Sequence, residues 1–260
     1  MLKEIYTAAM GMVPQQTRLE VTANNLANAS TPGFKRANVF ERNLISARGH
    51  FNNVPEQVEQ DDPPIGSYTD FSQGAMQQTE NVLDLAIGNE KGFFVLQDEA
   101  GNRFLTRSGH FKLTTEGTIA AMDGKMLLGN SGELNIKRDF LVDDANFENS
   151  SNVKLEVNSK GEVIANGNNI GAVQIVEVDD PNQLTRSSNA YFVPKAEANV
   201  SNVPQEAADV RQGWIENSNV NIINEMVSMI ELQRMFELGS KVIQTNNDTL
   251  DKSIGMGRFY

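Results

Sequence analysis

The sequence predicts a mainly β central domain held between long N- and C-terminal α-helices, which together form a discontinuous helical domain of coiled-coil type. Three observations predict it. Apolar residues recur in alternating steps of three and four at both ends of the 260 residues. Short alternating runs broken by glycine and asparagine fill the middle, and polar, proline-bearing stretches separate the two regimes. The expected division is 1–40 and 213–260 for the terminal helical assembly domain, 41–73 for an extended connector, 74–195 for the all-β domain and 196–212 for a return linker.

At the N-terminus, Leu2, Ile5, Ala9, Met12, Gln16, Leu19, Ala23 and Leu26 fall on one seam of a helix. Its bulky positions alternate with small ones, so a partner helix can approach closely there. Pro14 removes the hydrogen bond to the carbonyl of Met10, which predicts a regular helix from Pro14 onward and a kinked or frayed turn before it. Ala29-Ser30-Thr31-Pro32-Gly33 then predicts an end near Asn28.

The C-terminal end repeats the pattern with Ile222, Met226, Met229, Gln233, Phe236, Ser240, Ile243, Asn247, Leu250 and Ile254. A second stripe, Ile223, Val227, Ile230, Leu238 and Val242, widens the apolar face enough for more than one neighbour. Neither helix has an evident core of its own chain to cover so long a seam, so both are expected to order on assembly. The wider face predicts that the C-terminal helix meets more neighbours than the N-terminal one.

In the middle, Val82–Ile87, Phe93–Leu96, Phe104–Arg107, Phe111–Leu113, Ile119–Met122, Met126–Leu128, Val153–Val157, Glu162–Ala165 and Val173–Val178 read as strands. Asp123-Gly124 and Asn166-Gly167 are two-residue hairpin signals, in which both positions need positive φ.

Composition excludes several functions. The formal net charge of -12 repels phosphate, which argues against nucleic acid and anionic lipid as partners. The absence of cysteine removes disulfides, thiolate metal sites and thiol nucleophiles. No apolar run approaches the ~20 residues of a membrane span, and Met1 to Gln16 lacks the pattern of a cleaved signal, so an uncleaved N-terminus is expected. His50 and His110 have no metal-ligand spacing, and the oxygen-rich loop Asp143, Asp144, Asn146 and Glu148 lacks the glycine and closing glutamate of a calcium loop. No Gly-x-Ser-x-Gly turn or phosphate-binding loop occurs. No catalytic residue, cofactor or metal is expected.

Ala23-Asn24-Asn25-Leu26-Ala27-Asn28-Ala29-Ser30-Thr31-Pro32-Gly33-Phe34-Lys35 resembles the N-terminal signature of flagellar rod and hook proteins. Asp84-Leu85-Ala86-Ile87 through Gly92-Phe93-Phe94, with Thr106-Arg107-Ser108-Gly109-His110-Phe111 and Gly117, is similar to the start of that family's β domain. Glu216-Asn217-Ser218-Asn219-Val220-Asn221 and the following Glu225-Met226-Val227 and Ile230-Glu231-Leu232-Gln233-Arg234 resemble its C-terminal helix. The resemblance implies a structural subunit of the bacterial flagellar basal-body rod, needed for motility and exported through the flagellar type III apparatus. It would self-assemble with itself and with other rod and hook subunits into a hollow helical tube. Length favours the rod class with one β domain, of distal or proximal type, with the distal type preferred. The residues expected at the assembly interface are Ile5, Met12, Leu19, Asn24, Asn25, Leu26, Asn28, Pro32, Gly33, Phe34, Ile222, Met226, Met229, Gln233, Phe236, Ile243 and Leu250. Phe34 fits a neighbouring subunit and its own chain equally well. The competing reading is a secreted adhesin or carbohydrate-binding β domain on a coiled-coil stalk. Against it, the sole tryptophan, Trp214, lies outside the β region.

Overall fold

The computed structural model describes residues 2–41, 65–136, 154–188 and 190–257. His50, the Asp143 to Glu148 loop and most of the expected connector lie outside the described residues. The chain divides into two compact units, one of Met1–Ala27, Ala37–Asp70 and Asn221–Tyr260, the other of Asn28–Arg36 and Phe71–Val220.

The first unit contains both long helices, α1 (Leu2–Ala27) and α2 (Ile222–Gly257). Helix α1 continues from Leu2 through Pro14, where the sequence predicts a regular helix only from Pro14 onward. Proline removes one backbone donor, but its fixed φ is itself helical, so the turns on either side can continue. Helix α2 starts at Asn221, whose side-chain oxygen accepts the backbone N–H of Asn224 at 3.1 Å and satisfies one of the donors left open in a first turn. Asn25 contacts Glu225, and Met12 lies over Gly239, so the helices run antiparallel and each is the other's partner. That intramolecular partner is what the sequence did not reveal. Strands β1 (Ala37–Glu41) and β2 (Ile65–Thr69) pair antiparallel across Phe40 and Gly66, where the bare glycine leaves room for the aromatic ring.

The second unit is built around one strand. Among β3 (Met76–Gln78), β4 (Leu85–Ile87), β5 (Gly92–Gln97) and β6 (Arg103–Thr106), β5 is buried over almost its full length. Phe94 and Leu96 enter one core cluster with Phe111, Ile119 and Leu127. Phe93 and Val95 enter another with Val176, Val178 and Phe192. Period-two geometry sends alternate side chains to opposite faces, and both faces are covered, which explains the continuous apolar run. Phe94 meets Phe111 edge to face at 5.4 Å between centroids.

The strands β7 (Phe111–Leu113), β8 (Ile119–Ala121), β9 (Met126–Gly129) and β10 (Gly132–Glu133) continue the sheet. After β11 (Leu155–Val157), β12 (Glu162–Ala165) and β13 (Asn168–Ala172), which form their own three-stranded sheet, the chain returns with β14 (Ile175–Val178), β15 (Leu184–Ser188), β16 (Tyr191–Pro194) and β17 (Val200–Asn202). The main sheet runs β15-β16-β6-β5-β9-β8-β7, with β14 sharing the β9 side of β5. Finally β18 (Val210–Gln212) pairs with β4, and β19 (Trp214–Glu216) with β3. The stretch 196–212, expected as a linker, therefore carries two paired strands. Their three-residue length gives no readable alternation, so sequence pattern alone passes over them.

The two hairpin signals part company. Asn166 and Gly167 both have positive φ, 49° and 86°, as expected. At Asp123-Gly124 only the glycine does, at 96°. There the N–H of Gly124 reaches the carbonyl of Ala121, giving a longer loop closed by a glycine in the left-handed region. His110 binds Asp84 through Nδ1 at 2.6 Å, and the Thr79 hydroxyl donates to the other carboxylate oxygen at 2.6 Å.

Gly109 has no room for a β-carbon, which would overlap the carbonyl of Leu85. Gly109→Ala should lower the stability of this unit by about 3 kcal/mol in urea unfolding. The Asp123 carboxyl is partly buried, which acts to raise its pKa, but hydrogen bonds from Lys125 and from the Tyr191 hydroxyl at 2.9 Å hold it below the usual value. A carboxyl depressed in the folded state adds stability above its unfolded pKa of about 3.9 and loses it as the pH falls further. Asp123→Asn should therefore flatten the fall in stability between about pH 5 and pH 3.

Candidate assembly surface

In the helical unit, the face of α2 turned to α1 mixes polar and apolar residues. At about 100° per residue, Glu225, Leu232, Gly239 and Ile243 share a face. Glu225 is buried and the other three are half-buried. Ile223, Val227, Ile230, Leu238 and Val242 lie on the opposite side and are exposed, Ile223 at 73% and Leu238 at 64%. The second stripe read from the sequence is thus the free apolar face of α2 within this unit.

Of the residues expected at the interface, Ile222, Met226 and Phe236 are exposed on α2 with Gln233, while Met229 and Ile243 are half-buried. On α1, Met12, Leu19 and Leu26 are half-buried and Asn24 is exposed. Ile5 and Leu250 belong to the helices, but their side chains fall outside the described residues.

Asn25 is 1% exposed and acts within its own chain. Its Nδ2 donates to the carbonyl of Ala37 at 2.8 Å and its Oδ1 accepts the N–H of the same residue at 2.9 Å, as a neighbouring strand would. Nδ2 also approaches Glu225 Oε2 at 3.4 Å. The Asn25 amide is a clip from α1 to β1.

In the β unit, the signature residues turn inward. The N–H of Thr31 closes a turn on the carbonyl of buried Asn28 at 3.0 Å, and Pro32 is half-buried. Gly33 has φ 69°, and its α-carbon abuts the backbone of Ser108 too closely for any side chain. Phe34 is fully buried beneath the Arg186 guanidinium, which stands 4.6 Å from the ring centroid. It docks on its own chain.

Behind it lies a buried charge cluster that the sequence reading missed. Lys35 and Glu216 are each 1% exposed, with Nζ 2.6 Å from Oε1. Lys35 also donates to the carbonyl of Ser72 at 2.7 Å, and the N–H of Gly74 donates to Glu216 Oε1 at 3.0 Å. Arg107 brings Nη1 within 3.5 Å of Glu216 Oε2 and stacks on Phe93. At that distance the pair is ionic without hydrogen-bond geometry. Burial pushes the Arg107 guanidinium below its ordinary pKa, while Glu216 and Glu90 oppose the shift. Lys35, Arg107 and Glu216 each sit in a motif noted for its resemblance, but the sequence separation of 181 between Lys35 and Glu216 gave no sign that they meet.

Residues 5–35 match the family model for the flagella basal body rod protein, 87–165 that for the flagellar hook protein FlgE/F/G D1 domain, and 211–256 that for the flagellar basal body rod FlgEFG protein C-terminal region. The chain belongs to the flagellar basal-body rod proteins. The rod protein FlgG of Borreliella burgdorferi is 28% identical over 96% of this chain and 97% of its own. FlgG of Bacillus subtilis is 28% identical over 99% and 100%, and the rod protein FlgF of Buchnera aphidicola is 29% identical over 94% and 93%. This rod family is structural and is not an enzyme family. Among the described residues no helix is long and apolar enough to cross a membrane.

Truncation of Phe34 should act on the β unit. Phe34→Ala is expected to cost about 3–5 kcal/mol, read as a lower midpoint in urea unfolding followed by the signal of the sheet.

Proposed function

We propose that this rod subunit self-assembles through α1 and α2, in coiled-coil contacts between copies, into the hollow tube of the flagellar rod, and that motility depends on it. The observation that carries the reading is the exposed apolar stripe of α2, from Ile223 through Val227, Ile230 and Leu238 to Val242. A row of exposed aliphatic side chains on one helix face is a contact surface awaiting a partner. Relatives named as rod proteins match across nearly the whole chain, which supports other rod and hook subunits as the adjoining partners. FlgG and FlgF relatives match at 28–29% identity, so the shared architecture carries the reading and not a position along the rod.

The reading includes export by the flagellar type III apparatus, which the likeness to rod proteins across nearly the whole chain supports. Among the interface residues proposed from the sequence, the exposed Ile222, Met226, Gln233, Phe236 and Asn24 remain in the proposal, joined by the second stripe. The buried Asn25, Asn28, Gly33 and Phe34 serve it indirectly by holding the segments next to the helices.

Val227→Asp and Leu238→Asp place a charge on the free face without touching the α1 seam. Both should leave the monomer folded by circular dichroism, yet remove high-order assembly in sedimentation and abolish swimming. Normal motility in both variants would sink the proposal. Ile243→Asp, on the face turned to α1, should instead lower monomer helicity.

A further inference from the structure

We infer that closing of the β unit's own segments 28–36 and 213–219, its two ends, and folding of its sheet are a single cooperative event, locked by the buried cluster of Lys35, Glu216 and Arg107. The inference rests on this cluster and not on the assembly reading. Three stretches distant in sequence converge on one carboxylate. Lys35 approaches from the segment after α1, Gly74 from the segment before β3, and Glu216 itself ends β19. Backbone bonds run alongside. The N–H of Gly33 donates to the Glu216 carbonyl at 2.7 Å, that of Arg36 to Asn219 Oδ1 at 2.7 Å, and that of Asn217 to the carbonyl of Ala75 at 2.9 Å.

The cluster also reaches the centre of the sheet. Arg107 follows β6 and stacks on Phe93 of β5, while Arg186 of β15 covers Phe34 and donates to the Lys35 carbonyl. Withdrawing residues 28–36 alone would leave Glu216 buried without its closest cation. Withdrawing 213–219 alone would leave Lys35 and Arg107 buried without their carboxylate. Removing one member of a buried pair is far costlier than never forming it, so partial release of either end is disfavoured against opening the whole unit.

Native-state hydrogen exchange on the full chain tests this. The amides of Gly33, Arg36 and Asn217 should show protection within about tenfold of those of Val95 and Leu105, with the same rise in exchange as urea is added. Protection more than tenfold lower, with no urea dependence, would mean that the ends fray locally and would overturn the inference. Glu216→Gln keeps the shape and removes the charge, and it should reduce protection on the order of 100-fold across both the cluster and the sheet. Loss confined to residues 28–36 with the sheet unchanged would also overturn it. If that variant does not fold, the exchange pattern of the unaltered chain decides alone. Both readouts come from the monomer, so they can fail while assembly succeeds, and the reverse.

Discussion

The buried ion pair between Lys35 and Glu216 is the constraint that the β unit is arranged to satisfy. A lysine and a glutamate, each 1% exposed, are tolerable in a protein interior only if their remaining donors and acceptors are met. The carbonyl of Ser72 binds Lys35 and the N–H of Gly74 binds Glu216 Oε1, which fixes the path of the chain just before β3, while Oε2 has only the Arg107 charge at 3.5 Å. Gly74 in turn abuts the carbonyl of Asn217, so a side chain there would push the carboxylate segment away. Gly33 abuts Ser108 for the corresponding reason on the other side. Two glycines that look like loop punctuation are thus spacing elements around one charge pair.

The helical unit obeys a different balance. Its internal seam is only partly apolar, with buried Thr22, Asn25 and Glu225 and a bare Gly239. The outer face of α2 carries the larger aliphatic side chains. Covering each of them is worth roughly 1.5–3 kcal/mol relative to leaving it exposed. A strongly apolar surface of the helix is therefore one its own chain leaves uncovered.

Much of this could be read from the residues. Three-and-four spacing identified both helices, and the turn from Ala29 to Gly33 marked where α1 ends. Alternation located the long strands, β5 above all, because a strand covered on both faces must be apolar throughout. Strands of three residues, such as β17 and β18, stayed hidden because so short a run has no period. Spacing also could not say which of two apolar stripes on α2 would face α1. That choice is made by polar pairing, Asn25 with Glu225, and a hydrogen bond between residues 200 apart in sequence leaves no local trace. The cluster around Glu216 escaped for the same reason. Its residues were noticed as parts of motifs, while their chemistry lies in a meeting that only the fold creates.

The polar seam has a physical logic of its own. Had α1 and α2 met through apolar side chains alone, α2 would gain most by rotating about its axis until Ile223, Val227 and Leu238 faced α1. A buried carboxylate at Glu225 forbids that rotation, since turning it away from Asn25 changes the polar partners of both. Polar residues set into a helix seam lower its stability and fix its register. Asn25 is also held by β1, through both hydrogen-bonding groups of Ala37, so the orientation of α2 is referred back to the strand that follows α1. The polar pairing in the seam aims the aliphatic stripe of α2 away from α1.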